Sequence, residues 1–185
     1  MKVTETALPG VLLVEPRVSS DARGWFVETW SAERYAALGI SGSFVQDNLS
    51  ESVRGTLRGL HLQHPHAQGK LVSCPLGSVL DVAVDVRRGS PTFGRWVAEE
   101  LSAQNHRQLW VPAGFAHGFQ VTSDVALFSY KCTDVYHPEA ELGVRFDDPD
   151  VGVRWPVPAP IVSAKDLALP FLRDVAKERL PGGTT

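Results

Sequence analysis

Val79-Leu80-Asp81-Val82-Ala83-Val84-Asp85-Val86 is the stretch whose reading decides the fold. Side chains alternate across a strand, so Leu80, Val82, Val84 and Val86 share one face while Asp81, Ala83 and Asp85 share the other. Strict alternation in a run rich in β-branched residues identifies a β-strand. Its two aspartates face either solvent or a polar cavity, and the strand alone does not choose between them. A jelly roll encloses one face of each sheet, and carboxylates on an enclosed face mark a ligand site.

The same pattern extends in both directions. Upstream, Phe44 to Leu49, Thr56 to Gln63 and Lys70 to Cys74 read as strands; downstream, Arg95 to Leu101, Gln108 to Val111, Phe119 to Val121, Val125 to Cys132 and Gly143 to Phe146 do so. Pro75, Gly77, Gly89, Pro91, Pro112 and Gly114 are the turn punctuation between them. Short strands at this spacing predict an all-β antiparallel sandwich or barrel. Nearer the N-terminus, Val11 to Val18 and Gly24 to Trp30 read as two strands about the turn Asp21–Gly24. Ser31 is expected to cap a short helix that Gly39 stops. Pro156 to Asp166 reads as extended, Leu167 to Arg173 as mildly helical, and Pro181 to Thr185 as a disordered end.

A chain of 185 residues that is 43% hydrophobic can bury one substantial core, so one domain spanning 1–185 is expected. The formal charge of -3 leaves no basic stripe for a nucleic-acid backbone, although scattered arginines suffice for one small anion. Cys74 and Cys132 are too few for a disulfide framework and lack zinc-ribbon spacing, so both read as buried thiols in a reducing compartment. The N-terminus lacks a charged start followed by an apolar run, and no stretch is long enough to span a bilayer. A cytoplasmic protein without membrane partners is the expectation.

Chemistry concentrates in Arg58-Gly59-Leu60-His61-Leu62-Gln63, followed by His64, His66, Gln68, Gly69 and Lys70. Histidines at this spacing, with His117 at the turn Pro112–His117, first suggest the metal site of a metal-dependent barrel. The carboxylate such a site needs is replaced by Gln68-Gly69-Lys70, and a lysine repels a dication. The other reading is acid–base chemistry beside a carbonyl, with His61 as base and Lys70 holding the oxyanion. Inversion of a carbon needs a donor on the opposite side. Tyr130 is a candidate, although a tyrosine in its apolar row with Ala126, Phe128 and Cys132 also reads as core.

Eight words occur in one order: Arg23–Glu28, Gln46–Asn48, Arg58–Gln63, Gln68–Val72, Gly89–Gly94, Pro112–Phe119, Tyr130–Tyr136 and Ser163–Asp166. Together they closely resemble the dTDP-4-dehydrorhamnose 3,5-epimerase family of nucleotide-sugar epimerases, over a core of about 8–172 with a C-terminal tail at 173–185. The resemblance implies a cupin-type double-stranded β-helix (jelly roll) with a few short helices. It implies a homodimer that uses no cofactor and no metal, acting on dTDP-4-dehydro-6-deoxy-D-glucose, with a product destined for cell-surface polysaccharide such as O-antigen or for a glycosylated metabolite. It also implies His61 as base, Asp166 as the carboxylate that orients it, Lys70 as enolate stabiliser and Tyr130 as acid. Arg23, Phe26, Glu28, Gln46, Asn48, Arg58, His117, Glu141 and Lys165 would frame the ligand, with Tyr136 on the thymine.

Two details depart from the simplest reading. Alternation puts Arg58 and His61 on opposite faces, whereas the family asks both to reach ligand, so a bulge near Gly59 is expected. His64 and His66, separated by Pro65, receive no role and read as loop residues. The rival readings are a mono-epimerase acting at C3 or C5, a metal-dependent cupin, and a non-catalytic nucleotide-sugar binding module.

Overall fold

A computed structural model describes residues 1–182, so the last three residues of the end read as disordered, 183–185, lie outside the described residues. In chain order the strands are β1 (Lys2–Glu5), β2 (Leu12–Glu15), β3 (Val18–Asp21), β4 (Gly24–Val27), β5 (Gln46–Val53), β6 (Thr56–Gln63), β7 (Lys70–Leu76), β8 (Ser78–Asp85), β9 (Trp96–Ser102), β10 (Gln108–Val111), β11 (Phe115–Val121), β12 (Val125–Cys132), β13 (Glu141–Gly143) and β14 (Ile161–Val162). The short helices α1 (Ala32–Ala36) and α2 (Ala164–Leu167) complete the frame. One sheet runs β1-β2-β10-β7-β12-β5 and the other β13-β6-β11-β8-β9, with β14 parallel to β6 and β3-β4 forming a separate hairpin. This is the all-β sandwich that the alternation predicted, in the jelly-roll form that the resemblance implied. No helix among the described residues is long and apolar enough to cross a membrane.

The deciding strand, β8, is buried on both faces. Val79 and Ala83 face inward with Val97, Leu101, Phe119 and Val121, meeting Val72, Leu109, Val111, Ala126 and Phe128 of the other sheet. Asp81 and Asp85 are fully buried, which resolves their alternative in favour of the enclosed side. On the opposite face, Val82, Val84 and Val86 join Leu60, Leu62 and Ala116 under Val144, Val151 and Leu172. Val175 and Leu180 belong to the same cluster, so the segment read as a tail covers the sheet. Each such side chain contributes about 1.5–3 kcal/mol when fully buried. Across the molecule, Tyr35 of α1 packs with Val14, Ile40, Leu71 and Trp110 on the first sheet, and its hydroxyl donates to Gln108 Oε1 at 2.7 Å.

Several local expectations change: β4 stops at Val27, short of Trp30, and in place of a strand over Gly143 to Phe146 the chain forms β13, which ends at Gly143. Val11 to Val18 is not one strand: the chain leaves β2 at Pro16, which has no N–H for a ladder, and resumes as β3 in the hairpin. Ser31 occupies the N-cap of α1 without a side-chain capping bond, and the helix ends at Ala36, ahead of Gly39. Leu167 to Arg173 is not continuously helical; α2 lies earlier, with a single 3-10 turn at Leu172–Asp174.

The irregularity expected near Gly59 is present. β11 pairs His117 with His61 and Phe119 with Arg58, so Gly59 and Leu60 together face Gly118 alone. The extra residue turns the strand, and Arg58 and His61 consequently line one cleft. Gly59 has φ +127°, and a Cβ there would lie 2.6 Å from Gly118 Cα and 2.9 Å from His117 O. Backbone atoms cannot yield as a side chain can. Gly59→Ala is therefore expected to cost about 3 kcal/mol or more, seen as a fall in urea midpoint with little change in the m-value.

Candidate active site

The cleft opens between the sheets with a volume of about 540 Å³ and is lined by Arg58, His61, Lys70, His117, Tyr130 and Asp166 among others. A second lobe of about 360 Å³ shares His61, Lys70 and Tyr130 and adds Gln46, Asn48, Tyr136 and Glu141. Residues read from four distant parts of the chain thus meet in one place. Arg23, Phe26 and Glu28 do not line either lobe. They sit on or just after the β3-β4 hairpin, where Arg23 bonds Asp21, Phe26 is 73% exposed and Glu28 pairs with Arg34.

His61 projects from β6 and its Nε2 lies 2.7 Å from Asp166 Oδ1. Asp166 sits in the first turn of α2, which Ser163 caps by accepting the Asp166 N–H at 3.1 Å. Its other oxygen accepts the Gly59 N–H at 3.4 Å, so the bulge also supports the dyad. Burial pushes the Asp166 carboxyl up, but the hydrogen bond and charge of His61, with the Gly59 and Ser163 contacts, outweigh it and hold the pKa below the ordinary value. The carboxylate therefore remains charged and fixes one edge of the imidazole. The other edge is available to the cleft.

Lys70 opens β7 on the opposing sheet. Burial pushes its pKa down, against the attraction of Cys132, Asp81 and Glu141. Among the described residues its ammonium makes no hydrogen bond and no ion pair. A half-buried cation without a partner is held ready for an anion.

Tyr130, on the neighbouring β12, pairs in register with Val72, two residues from Lys70. Burial and nearby Cys132 push its phenol pKa up, with Arg58 opposing. Its ring packs on the core cluster beside Phe128, as the core reading expects, and the residue also lines both lobes. His61 and Tyr130 accordingly approach the cavity from opposite sheets.

His117 stands beside His61 across the β6-β11 ladder and its Nε2 lies 2.8 Å from Asp81 Oδ1. Asp81 Oδ2 is buried without a partner among the described residues, and burial raises the carboxyl pKa against the pull of His117 and Lys70. Arg58 directs its guanidinium to Ser52 Oγ at 3.1 Å. At the mouth, Glu141 Oε2 accepts from Tyr136 at 2.6 Å and from Lys165 at 2.5 Å. Gln46 Oε1 accepts the Tyr136 N–H at 2.9 Å, and Gln46 and Asn48 bond each other at 3.1 Å.

Two residues of this setting were not assigned from sequence. Asp81 lies on the strand face flagged as facing solvent or cavity, and only its pairing with His117 gives it a task. Cys132 lines the second lobe beside Asn48 at 3.7 Å, and its shared face with Tyr130 was the available signal. His66 is not in the cleft; it stacks on His137 with ring centroids 4.0 Å apart. His64 gives its N–H to Ala140 O and does not line the cleft.

Comparison with known proteins places the chain in a family. The sequence model of dTDP-4-dehydrorhamnose 3,5-epimerase matches residues 5–174. The chain is 56% identical over 168 residues to the dTDP-4-dehydrorhamnose 3,5-epimerase of Pseudomonas aeruginosa, covering 90% of this chain and 93% of that one. Its fold is similar to that of the Legionella pneumophila 3,5-epimerase in complex with dTDP-4-keto-L-rhamnose, at TM-score 0.97 and 48% identity, covering 100% and 99% of the two chains. It is less similar to a 3'-monoepimerase from Streptomyces bikiniensis in complex with dTDP-quinovose, at TM-score 0.89 and 36% identity over 96% and 91%. With a family match across nearly its whole length and half its residues shared with curated members, the chain belongs to the dTDP-4-dehydrorhamnose 3,5-epimerase family.

Proposed function

We propose that this protein is a dTDP-4-dehydrorhamnose 3,5-epimerase, converting dTDP-4-dehydro-6-deoxy-D-glucose to dTDP-4-dehydro-L-rhamnose. One observation carries the reading: a histidine on one sheet held by the Asp166 carboxylate, and on the other sheet a phenol and an ammonium without a partner among the described residues, share a single cleft. The keto group at C4 acidifies the hydrogens at C3 and C5, so the protein supplies only a base, an oxyanion partner and an acid, and no organic cofactor or metal is required. His61 takes the proton while Asp166 holds the imidazole. The C–H electron pair moves into the ring, and Lys70 stabilises the 4-enolate oxygen. Tyr130 returns a proton from the opposite side, which inverts the centre. A second cycle acts on the other carbon.

Arg58 suits the diphosphate, a forked guanidinium on a dianion, and Tyr136 suits a flat base. Gln46, Asn48, His117, Glu141 and Lys165 frame the sugar and nucleoside. Arg23, Phe26 and Glu28 reach this list only if the exposed hairpin enters the cleft of a second copy. A homodimer exchanging hairpins accounts for them and covers Trp25 and Phe26, which are 57% and 73% exposed in one chain.

Proton NMR of dTDP-4-dehydro-6-deoxyglucose with enzyme in deuterated water tests the reading. Deuterium should enter at C3 and C5 and both centres should invert; inversion at one alone would indicate a mono-epimerase, and no exchange would reduce the protein to a binding module. Tyr130→Phe is expected to keep wash-in near wild type while inverted product forms about 100-fold more slowly. Normal epimerisation by that variant would remove Tyr130 from the donor role.

A further inference from the structure

We propose that His66, Asp134 and His137 form a binding site for one transition-metal dication, zinc above all, at the outer rim of the cleft. The three residues come from two loops, one joining β6 to β7 and one following β12. One nitrogen of each histidine and a carboxylate oxygen of Asp134 lie within 4.8 Å of one another. His66 Nδ1 is 3.8 Å from Asp134 Oδ2, and His137 Nε2 is 3.9 Å from Oδ1. Those gaps are too long for hydrogen bonds. Two donors sharing a tetrahedral zinc at bonds of about 2.0–2.2 Å stand roughly 3.4 Å apart, so each histidine–aspartate pair needs a closure of about half an ångström and a pair near the 4.8 Å limit needs more. The imidazoles now stack at an interplanar angle of 14°, and they must splay for both lone pairs to converge on one ion. His66 is exposed and His137 half-buried, so that rotation is open to them. Two imidazoles and one carboxylate leave the fourth position to water or a ligand.

Orientation and anchoring are already built. His137 Nδ1 lies 3.2 Å from Glu139 Oε1, and a proton held there leaves Nε2 with its lone pair toward Asp134, the outer carboxylate arrangement of histidine–metal sites. Asp134 Oδ1 accepts the Val135 N–H at 2.8 Å, which fixes the carboxylate. The two loops are stitched by the buried amide of Gln63: its Nε2 donates to His66 O at 2.8 Å, and its Oε1 accepts the His137 N–H at 2.9 Å. His66 holds a left-handed backbone at φ +65°, a conformation costly for a side chain with a Cβ, and its ring makes no hydrogen bond among the described residues.

Tyr136 lies between Asp134 and His137 in sequence, so a bound ion stiffens the segment that carries it. If Tyr136 meets the nucleotide base, as the proposed function has it, metal should tighten substrate binding and leave the chemical step alone.

The test uses the untagged full-length chain, stripped with chelator and titrated calorimetrically with Zn²⁺, then with Co²⁺ while visible absorption is read. One equivalent should bind, with the intense visible bands of a tetrahedral cobalt site. His66→Ala and His137→Ala should each weaken binding at least 10-fold, Glu139→Gln by about 10-fold, and His64→Ala not at all. Absence of saturable binding, or binding unchanged in both His66→Ala and His137→Ala, would overturn the site. In steady-state assays Zn²⁺ should lower KM without changing kcat in the wild type and do neither in His66→Ala; an equal KM with and without bound metal would overturn the coupling to Tyr136. Calorimetry needs no turnover, so failure of the metal site and failure of the epimerase reading are separable.

Discussion

His61→Asn is expected to lower epimerisation by about 10²–10⁴-fold, the range for loss of a positioned general base. The asparagine amide can still donate to Asp166, so the α2 anchor and the Gly59 contact remain and the loss reflects chemistry more than folding. Deuterium wash-in at C3 and C5 should fall together with inversion, because both need the first proton removed. Tyr130→Phe should separate the two readouts, and that contrast assigns base and acid. Full exchange by His61→Asn would refute the assignment of His61. Asp166 adds a pH signature. Its pKa is lower folded than unfolded, so its contribution to stability is fully present above the unfolded value near 3.9 and is lost as pH falls through the folded one. His61→Asn removes the imidazole that holds the carboxyl down, and the acid limb of the denaturation profile should shift accordingly.

The strands were legible where hydrophobic periodicity had a single explanation. Gln108–Val111 and Val125–Cys132 begin and end as read, because turn residues bracket both. β8 was legible as a strand but not as a two-sided one: its valine face gives no sign that Leu172, Val175 and Leu180 will return from the C-terminus to cover it. Pairings of that sequence separation leave no local periodicity. The same limit applies at the site. His61 and Lys70 stand close in sequence and announce their chemistry, whereas Asp166 is 105 residues from His61 and becomes its partner only because β14 and the first turn of α2 lie along β6. The bulge at Gly59 could be anticipated since Arg58 and His61 otherwise point apart. The hairpin segment of Arg23, Phe26 and Glu28 shows the converse, a motif whose residues line neither lobe of the His61 cleft on their own chain. His137 falls outside every motif and His66 only within the histidine run, and their proximity follows from loop closure through Gln63, Gln68 and Thr133.

Lys70→Met should lower kcat by about 10²–10³-fold, comparable to removing a preorganised donor from an oxyanion, with kcat/KM falling by a similar factor. What Lys70 lacks decides the size of this effect. Its ammonium has no partner among the described residues and burial depresses its pKa, so the folded protein spends free energy to keep a charge there. The enolate forms beside that charge and offsets the cost, which means the favourable interaction appears in the transition state and not in the ground state. Substrate binding should therefore change little. Stability should move the other way: methionine fills similar volume without a buried cation, so the variant is expected to melt at the same temperature as the wild type or higher, and a large fall in melting temperature would contradict the unpartnered charge. The pH dependence has a fixed sign. With a folded pKa below the ordinary 10.5, the unfolded chain binds more protons in the window between the two, so wild-type stability gains from Lys70 as pH rises through it. Activity that depends on the ammonium falls across the same window. Lys70→Met should abolish that opposed pair of trends, and a variant that kept the wild-type alkaline limb in both would show that the charge lies elsewhere.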